Sequence, residues 1–284
     1  MGILGNYHTH NRWCDGKGEI AEVIEAAIAA ELAQVGITSH APVPFPSIYA
    51  LPLANLRAYR EEVLRQRETY RDRIDVLLGL EIDALPELLE FNEREVLALG
   101  YDFTVGSVHF VRKTADGQPW PLDLRADLFD QLLHEHFGGD IRKLSEEYYQ
   151  LVAGLAGYPG VDIIGHMDRG VRLWNAGNRV FDESQSWYRA QIDDTLRALA
   201  KTDRIVELST GGWRRGLEDP WPSVWVVRRC RELGIRMTVN SDSHHPSQIA
   251  YDYDRALAVL RETGYREIAR FDPATKTWGS AALD

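Results

Sequence analysis

Cysteine is nearly absent from this chain of 284 residues: Cys14 and Cys230 are the only two, and they lie far apart. A disulfide framework is excluded on that count, and a reducing compartment is expected. Long apolar runs are missing as well. No stretch approaches the ~20 residues that cross a bilayer. The opening Met1-Gly2-Ile3-Leu4-Gly5-Asn6 has neither a basic segment nor a secretory apolar core. A cytoplasmic chain with no membrane partner is expected. Positive charge is short too, with 32 Lys and Arg against 43 Asp and Glu, a net charge of −11. A chain this acidic has no general field for long nucleic acid. Bound divalent cations would offset that charge locally, which leaves room for a small anionic partner. Also lacking are any linker or low-complexity stretch and any Gly-x-Gly-x-x-Gly after the first strand. The first lack predicts a single domain over 1–284, and the second weighs against a dinucleotide-binding sheet.

What is present alternates. Short apolar runs predict strands at Gly2–Tyr7, Val35–Ser39, Asp75–Leu80, Phe103–Val108, Asp162–Gly165, Ile205–Leu208 and Arg236–Asn240. Val-Leu-Leu-Gly-Leu at 76–80 lacks polar alternation, as in strands buried on both faces of a parallel sheet. Helical patterns fill the gaps: Glu19–Gln34, Leu53–Arg71, Pro86–Leu99, Leu144–Ala156, Ser186–Ala200, Ser223–Leu233 and Ser247–Glu262. Gly36, Gly100 and Gly234 are expected to end helices in the left-handed conformation. Residues 111–142 predict a long excursion holding a helix over Asp127–Phe137. Strand–helix alternation of this length predicts an α/β fold, a distorted (β/α)7 TIM-like barrel in preference to an open sheet.

Ligand-type residues cluster at the ends of the predicted strands. His8, His10 and Asp15 follow the first, His40 the second and Glu81 the third. His109 follows the fourth, His166 and Asp168 the fifth, and Asp242 and His244 the seventh. A barrel gathers those strand ends on one face. The six imidazoles with Asp15, Glu81 and Asp242 are too many ligands for one ion and suit two or three. Mixed nitrogen and oxygen ligation favours Zn, Mn or Fe over Mg or Ca. His134 and His136 sit two apart on a predicted helix, do not share a face, and are expected on the surface.

These residues carry a resemblance that spans nearly the whole chain. Tyr-His-Thr-His at 7–10, Thr-Ser-His-Ala-Pro at 38–42, Gly-Leu-Glu-Ile-Asp at 79–83, Gly-Ser-Val-His-Phe at 106–110, Ile-Gly-His-Met-Asp at 164–168 and Asn-Ser-Asp-Ser-His at 240–244 resemble the motifs of the polymerase and histidinol phosphatase (PHP) superfamily. Within it, the chain is similar to histidinol-phosphate phosphatases. The resemblance implies a trinuclear centre. His8, His10, Glu81 and Asp242 would hold one ion, Glu81 would bridge to a second on His109 and His166, and Asp15, His40 and His244 would hold a third. Asp15 stands where that branch often has His.

The implied reaction is hydrolysis of a small phosphate monoester, histidinol phosphate foremost, in histidine biosynthesis. Other readings are a PHP phosphoesterase acting on another small ester or nucleotide, and a non-catalytic metal-binding scaffold. Asp168, His245 and Asp242 are the candidate catalytic residues, the first two for protonating the leaving group. Arg172, Arg214 and Arg215 are the candidates for the phosphate, with Arg169 ranked below them. Trp13, Trp174 and Trp213 are expected chiefly to pack loops.

Overall fold

Each predicted strand forms, and their order along the chain is their order in the sheet. The computed structural model describes residues 4–114 and 117–283. The barrel strands are β1 (Gly5–Asn6), β2 (Gln34–Ile37), β3 (Asp75–Asp83), β4 (Phe103–Ser107), β7 (Ile163–Ile164), β8 (Ile205–Ser209) and β9 (Met237–Asn240). They run parallel in one seven-stranded sheet. The edges meet just past the strand ends. His10 N–H donates to the Ser243 carbonyl at 2.7 Å, and Tyr7 N–H to Asn240 Oδ1 at 2.8 Å. The result is the nearly closed, distorted barrel that the alternation predicts.

Between the strands lie the helices α1 (Ile20–Ala29), α2 (Leu56–Tyr70), α3 (Pro86–Glu95), α4 (Ala126–Phe137), α5 (Ile141–Gly154), α6 (Arg169–Arg172), α7 (Ser186–Leu199), α8 (Gly211–Arg214), α9 (Val224–Glu232) and α10 (Tyr253–Glu262). The 111–142 excursion is more ordered than expected. It holds α4 and, with Phe110, a hairpin of β5 (Phe110–Lys113) and β6 (Pro119–Pro121). None of the helices among the described residues is long and apolar enough to cross a membrane.

Period-two alternation sorts the strand residues into two cores. On β3, Val76, Leu78, Leu80 and Ile82 join the large cluster shared with the helices. Leu77 joins a smaller one with Tyr7, Phe103, Val105, Ile163, Ile205 and Phe271, which fills the lower end of the barrel. That floor is finished by a feature the sequence reading did not anticipate, an antiparallel hairpin of β10 (Glu267–Asp272) and β11 (Thr277–Ala282). Its Trp278 meets Tyr7 edge-on at 4.9 Å and Phe103 at 5.7 Å. Its Phe271 carbonyl accepts from Gln34 Nε2 at 2.9 Å.

One glycine departs from expectation. Gly100 and Gly234 take left-handed φ of 75° each, as helix ends require. Gly36 instead lies inside β2, and Glu31, with φ 57°, makes the left-handed turn after α1. Gly36 is small for a steric reason. A Cβ there would sit 2.5 Å from Phe103 Cζ and 3.0 Å from Tyr7 Cα. Phe103 cannot easily yield, since it is wedged among Tyr7, Phe271 and Trp278. Gly36→Ala is therefore expected to cost about 1–3 kcal/mol through overpacking, read as a lower urea midpoint. Adding Phe103→Leu should recover part of the loss, and strictly additive effects would argue against this contact.

Candidate metal centre

The floor residues and the site residues share the same strand faces. On β3 the inward series runs Leu77, Gly79, Glu81, Asp83; on β8 it runs Ile205, Glu207, Ser209. Each strand is apolar where it meets the floor and carries a carboxylate toward its C-terminal end. Dense packing below and an open top thus place buried acids under a cleft.

Glu81, 1% exposed, is the centre. His8 Nε2 lies 3.2 Å from its Oε1, His166 Nε2 3.1 Å and His109 Nε2 3.4 Å. On Oε2, His40 Nδ1 lies at 2.9 Å and His10 Nε2 at 3.4 Å. Asp242 Oδ1 approaches His10 Nε2 at 3.3 Å, His244 Nδ1 at 3.5 Å and His8 Nε2 at 3.7 Å. Asp15 is 3.4 Å from His244 and 3.7 Å from His40. The structure thus brings together all nine residues expected as ligands: His8, His10, Asp15, His40, Glu81, His109, His166, Asp242 and His244. Its close groupings are His10–Asp15–His40–His244, His8–His10–Asp242, His40–Glu81–His109 and His8–His166–Glu207. The partition differs from the one the resemblance implies, because His8, His10 and His40 are each shared and Glu207 enters.

The electrostatics are those of a site short of positive charge. Burial alone would raise the Glu81 carboxyl, but His8, His40 and His109 outweigh it and hold it well below the usual carboxylate range. Burial would likewise lower His8, yet Glu207, Glu81 and Asp242 hold it well above an ordinary imidazole. His109 is opposed by burial in the same way, and Asp83 and Glu81 lift it to about 9. His10 is lowered to about 3 by burial and by its neighbours His244 and His40. A neutral His10 is the form that offers a lone pair to a cation.

The donor set fits divalent ions on two grounds. His8 Nε2, His10 Nε2, His40 Nδ1, His109 Nε2 and Glu81 Oε2 are buried without a well-oriented hydrogen-bond partner among the described residues, although His40 Nδ1 and Glu81 Oε2 lie 2.9 Å apart. Leaving so many polar atoms unsatisfied is costly unless something charged meets them. The far nitrogens of the same rings are also anchored. His8 Nδ1 bonds to Glu207 at 2.9 Å and His109 Nδ1 to Asp83 at 2.8 Å. Carboxylates behind imidazoles fix ring orientation and raise ligand basicity.

Glu207 and Asp83 escaped the sequence reading, although a signal was there. Glu207 is a charge two residues along from Ile205 in an inward series, and Asp83 is the next inward position after Glu81. Glu207 also accepts from His166 N–H at 2.7 Å and Asn240 Nδ2 at 2.8 Å, which ties three strand ends together.

Above the centre opens a cleft of about 210 Å³, reached by Asp15, His40, His109 and His244. Tyr49, Asp123, Arg169 and Arg215 share its wall. The expected substrate residues divide here. Arg215 is on the exposed rim. Arg172 is buried and already engaged by Asp168 at 3.1 Å, Glu183 at 2.9 Å and the Pro220 carbonyl. Arg214 donates to the carbonyls of Ser241 at 2.7 Å and Asp242 at 2.6 Å. Neither lines the cleft, and both guanidinium groups are turned to these protein partners. Arg169, ranked below them, is the buried guanidinium of the cleft wall, 2.9 Å from Asp123.

The acid and base candidates divide similarly. Asp168 is fully buried, accepting from Arg172 and from Ser223 N–H, away from the cleft lining. Exposed His245 accepts from Ser247 N–H at the start of a short 3-10 turn. Only Asp242 of the three lies among the clustered ligands. Trp13, Trp174 and Trp213 donate to Glu62, Leu122 and Glu218 and pack loops. His134 is exposed, and His136 rests on Trp120.

Comparison with known proteins agrees with this architecture. The PHP domain family matches residues 6–211. The chain is 26% identical over 268 residues to a Deinococcus radiodurans protein named "probable histidinol-phosphatase", covering 93% of this chain and 95% of that one. It is 25% identical over 277 residues to the Bacillus subtilis histidinol-phosphatase, covering 88% and 97%. The fold matches the crystal structure of a histidinol phosphate phosphatase from Lactococcus lactis, solved with zinc, L-histidinol and phosphate. There the TM-score is 0.74 at 19% identity, over 98% of this chain and 99% of that one. With the family match extending over residues 6–211, the chain belongs to the PHP domain family.

Proposed function

We propose that this protein is a metal-dependent phosphoric monoester hydrolase that converts L-histidinol phosphate and water to L-histidinol and inorganic phosphate, a step of histidine biosynthesis. One observation carries the reading: a buried carboxylate, Glu81, shared by five imidazoles beneath a small cleft that has a guanidinium in its wall. The relatives named as histidinol-phosphatases, matched over nearly their full length, support the substrate.

Two or three divalent ions, Zn, Mn or Fe, would be held by His8, His10, Asp15, His40, Glu81, His109, His166, Asp242 and His244. When bound, such ions lower the pKa of water and offset charge on phosphoryl oxygens. Arg169 meets the substrate phosphate. Its guanidinium is held by Asp123, so little reorganisation is needed as charge builds on the equatorial oxygens. Arg215 adds a second, exposed cation at the rim. Tyr49 lines the cleft with a buried hydroxyl that has no hydrogen-bond partner among the described residues, so it can donate to a substrate oxygen. A cleft of about 210 Å³ is on the scale of a small-molecule substrate.

Steady-state kinetics with histidinol phosphate beside nucleotides and sugar phosphates tests the substrate. A clear preference in kcat/KM for histidinol phosphate is expected, and a flat profile or a preferred nucleotide would refute it. Chelation should abolish turnover and lower Tm, with both restored by Zn, Mn or Fe, because ligands that bind only the folded state stabilise it. His8→Ala should remove turnover and bound metal while the chain stays folded.

The arginines give a sharper test. Arg169→Met is expected to lower kcat/KM by about 10²–10³-fold, as when a preorganised donor is removed. Arg172→Met should instead destabilise the fold by about 3–5 kcal/mol, since it strands buried Asp168, and leave KM nearly unchanged at a permissive temperature. Reversal of that pattern would return the phosphate to Arg172.

A further inference from the structure

His10 differs from the other anchored rings in what stands behind it. His8 and His109 are backed by carboxylates, Glu207 and Asp83. Behind His10 is a thiol: Cys14 Sγ lies 3.5 Å from His10 Nδ1. Asp15 Oδ1, at 4.0 Å, is too far to bond that nitrogen. On the opposite side of the ring, Nε2 is buried, has no hydrogen-bond partner among the described residues, and faces Glu81 and Asp242 at 3.4 and 3.3 Å.

The thiol is fixed in turn by the loop it sits on. Cys14 N–H donates to the Asn11 carbonyl at 3.0 Å, and Cys14 Sγ lies 3.4 Å from the same oxygen. Asn11 is itself tied down, with Nδ2 donating to Ser39 Oγ at 3.0 Å and Oδ1 accepting from Trp13 N–H at 3.0 Å. Gly16 closes the loop so tightly that a Cβ there would lie 2.3 Å from Asn11 N. With its S–H spent on the Asn11 carbonyl, Cys14 has a sulfur lone pair to offer, and the neighbour in reach is His10 Nδ1–H.

We propose that Cys14 is a positioning residue that accepts from His10 Nδ1–H, fixes the tautomer of that ring, and so keeps the Nε2 lone pair aimed at the metal centre. It acts through His10 and is not itself a ligand. Sγ stands behind the ring, and no ligand grouping among the described residues includes it. The buried Cys230 lies on α9, away from the centre, and takes no part. A ring free to rotate, or protonated on Nε2, would present an N–H where a lone pair is required. The inference rests on the metal-centre reading given above.

The test compares Cys14→Ser with Cys14→Val in the full-length protein. Serine keeps a donor and an acceptor; valine keeps the bulk and loses both. Zn affinity is read by competition with a chromophoric chelator on metal-stripped protein. Melting of the same metal-free samples checks that each variant is folded. Cys14→Val is expected to lose about 10–100-fold in Zn affinity, the usual effect of removing a partner behind a ligating His, with KM for substrate little changed, while Cys14→Ser retains most of the affinity. Wild-type affinity in a folded Cys14→Val, or a larger loss in Ser than in Val, would overturn the proposal in favour of simple packing.

Cobalt substitution supplies a second readout. The wild-type protein should show no thiolate-to-cobalt charge-transfer band lost in Cys14→Val; such a band would make Cys14 a ligand and overturn the positioning role. If the wild-type chain bound no metal at all, the metal-centre reading itself would fall. Loss confined to this proposal looks different: tight wild-type binding that Cys14→Val leaves intact.

Discussion

The burial of Glu81 is the constraint on which the rest of this structure depends. A carboxylate taken out of water loses several kcal/mol of hydration unless charge and hydrogen bonds replace it. Five imidazoles surround this one within 3.4 Å. The compensation cannot be complete from within, because an imidazolium set strong enough to satisfy Glu81, Asp242, Asp15 and Glu207 would place many like charges side by side. The stacking of His10 on His244 at 4.1 Å shows the difficulty, and His10 resolves it by staying neutral. Neutral rings beside ionised carboxylates are the state that divalent cations stabilise most, since metal ligation and charge neutralisation then coincide.

The barrel is built to hold that costly group. Dense aromatic packing at the floor, from Tyr7, Phe103, Phe271 and Trp278, fixes the lower halves of the strands. The upper halves can then carry polar side chains that would not fold alone. Glu207 shows how the two halves are joined. By bonding His8, His166 N–H and Asn240 at once, it converts three separate strand ends into one rigid rim. Sites on such a frame keep their geometry better than sites on free loops.

The strands and the ligand candidates were legible in the sequence because both follow local rules. Apolar runs mark strands, and His, Asp and Glu at strand ends mark a barrel face. Gly36 was misplaced because periodicity cannot tell a glycine that ends a helix from one that yields to a ring elsewhere in the barrel. The C-terminal hairpin was missed because its exposed, alternating β11 resembles a polar tail. The surroundings of the arginines were out of reach for a related reason. Arg169 and Arg172 share one helical turn, and their roles are set by distant partners, Asp123 for one and Glu183 with Pro220 for the other. Partition of the ligands among ions was equally out of reach, since His8, His10 and His40 each stand between two groups.

Arg214 shows how a guanidinium at the mouth of the barrel can serve the backbone. Asp242 and His166 both have positive φ, 48° and 20°. A left-handed backbone costs an ordinary residue about 1–2 kcal/mol, and it persists only where the surroundings enforce it. Here it turns the chain abruptly as it leaves β9 and β7, which swings both side chains over the mouth of the barrel. Glu207 secures the first bend at His166 N–H. Arg214 secures the second by holding the carbonyls of Ser241 and Asp242 in one guanidinium fork. The fork matches two adjacent carbonyl oxygens as it would match a phosphate, so the sequence offers the same residue for either task. In this structure the fork is on the two carbonyls, beside the left-handed bend that brings the Asp242 carboxylate to His8 and His10.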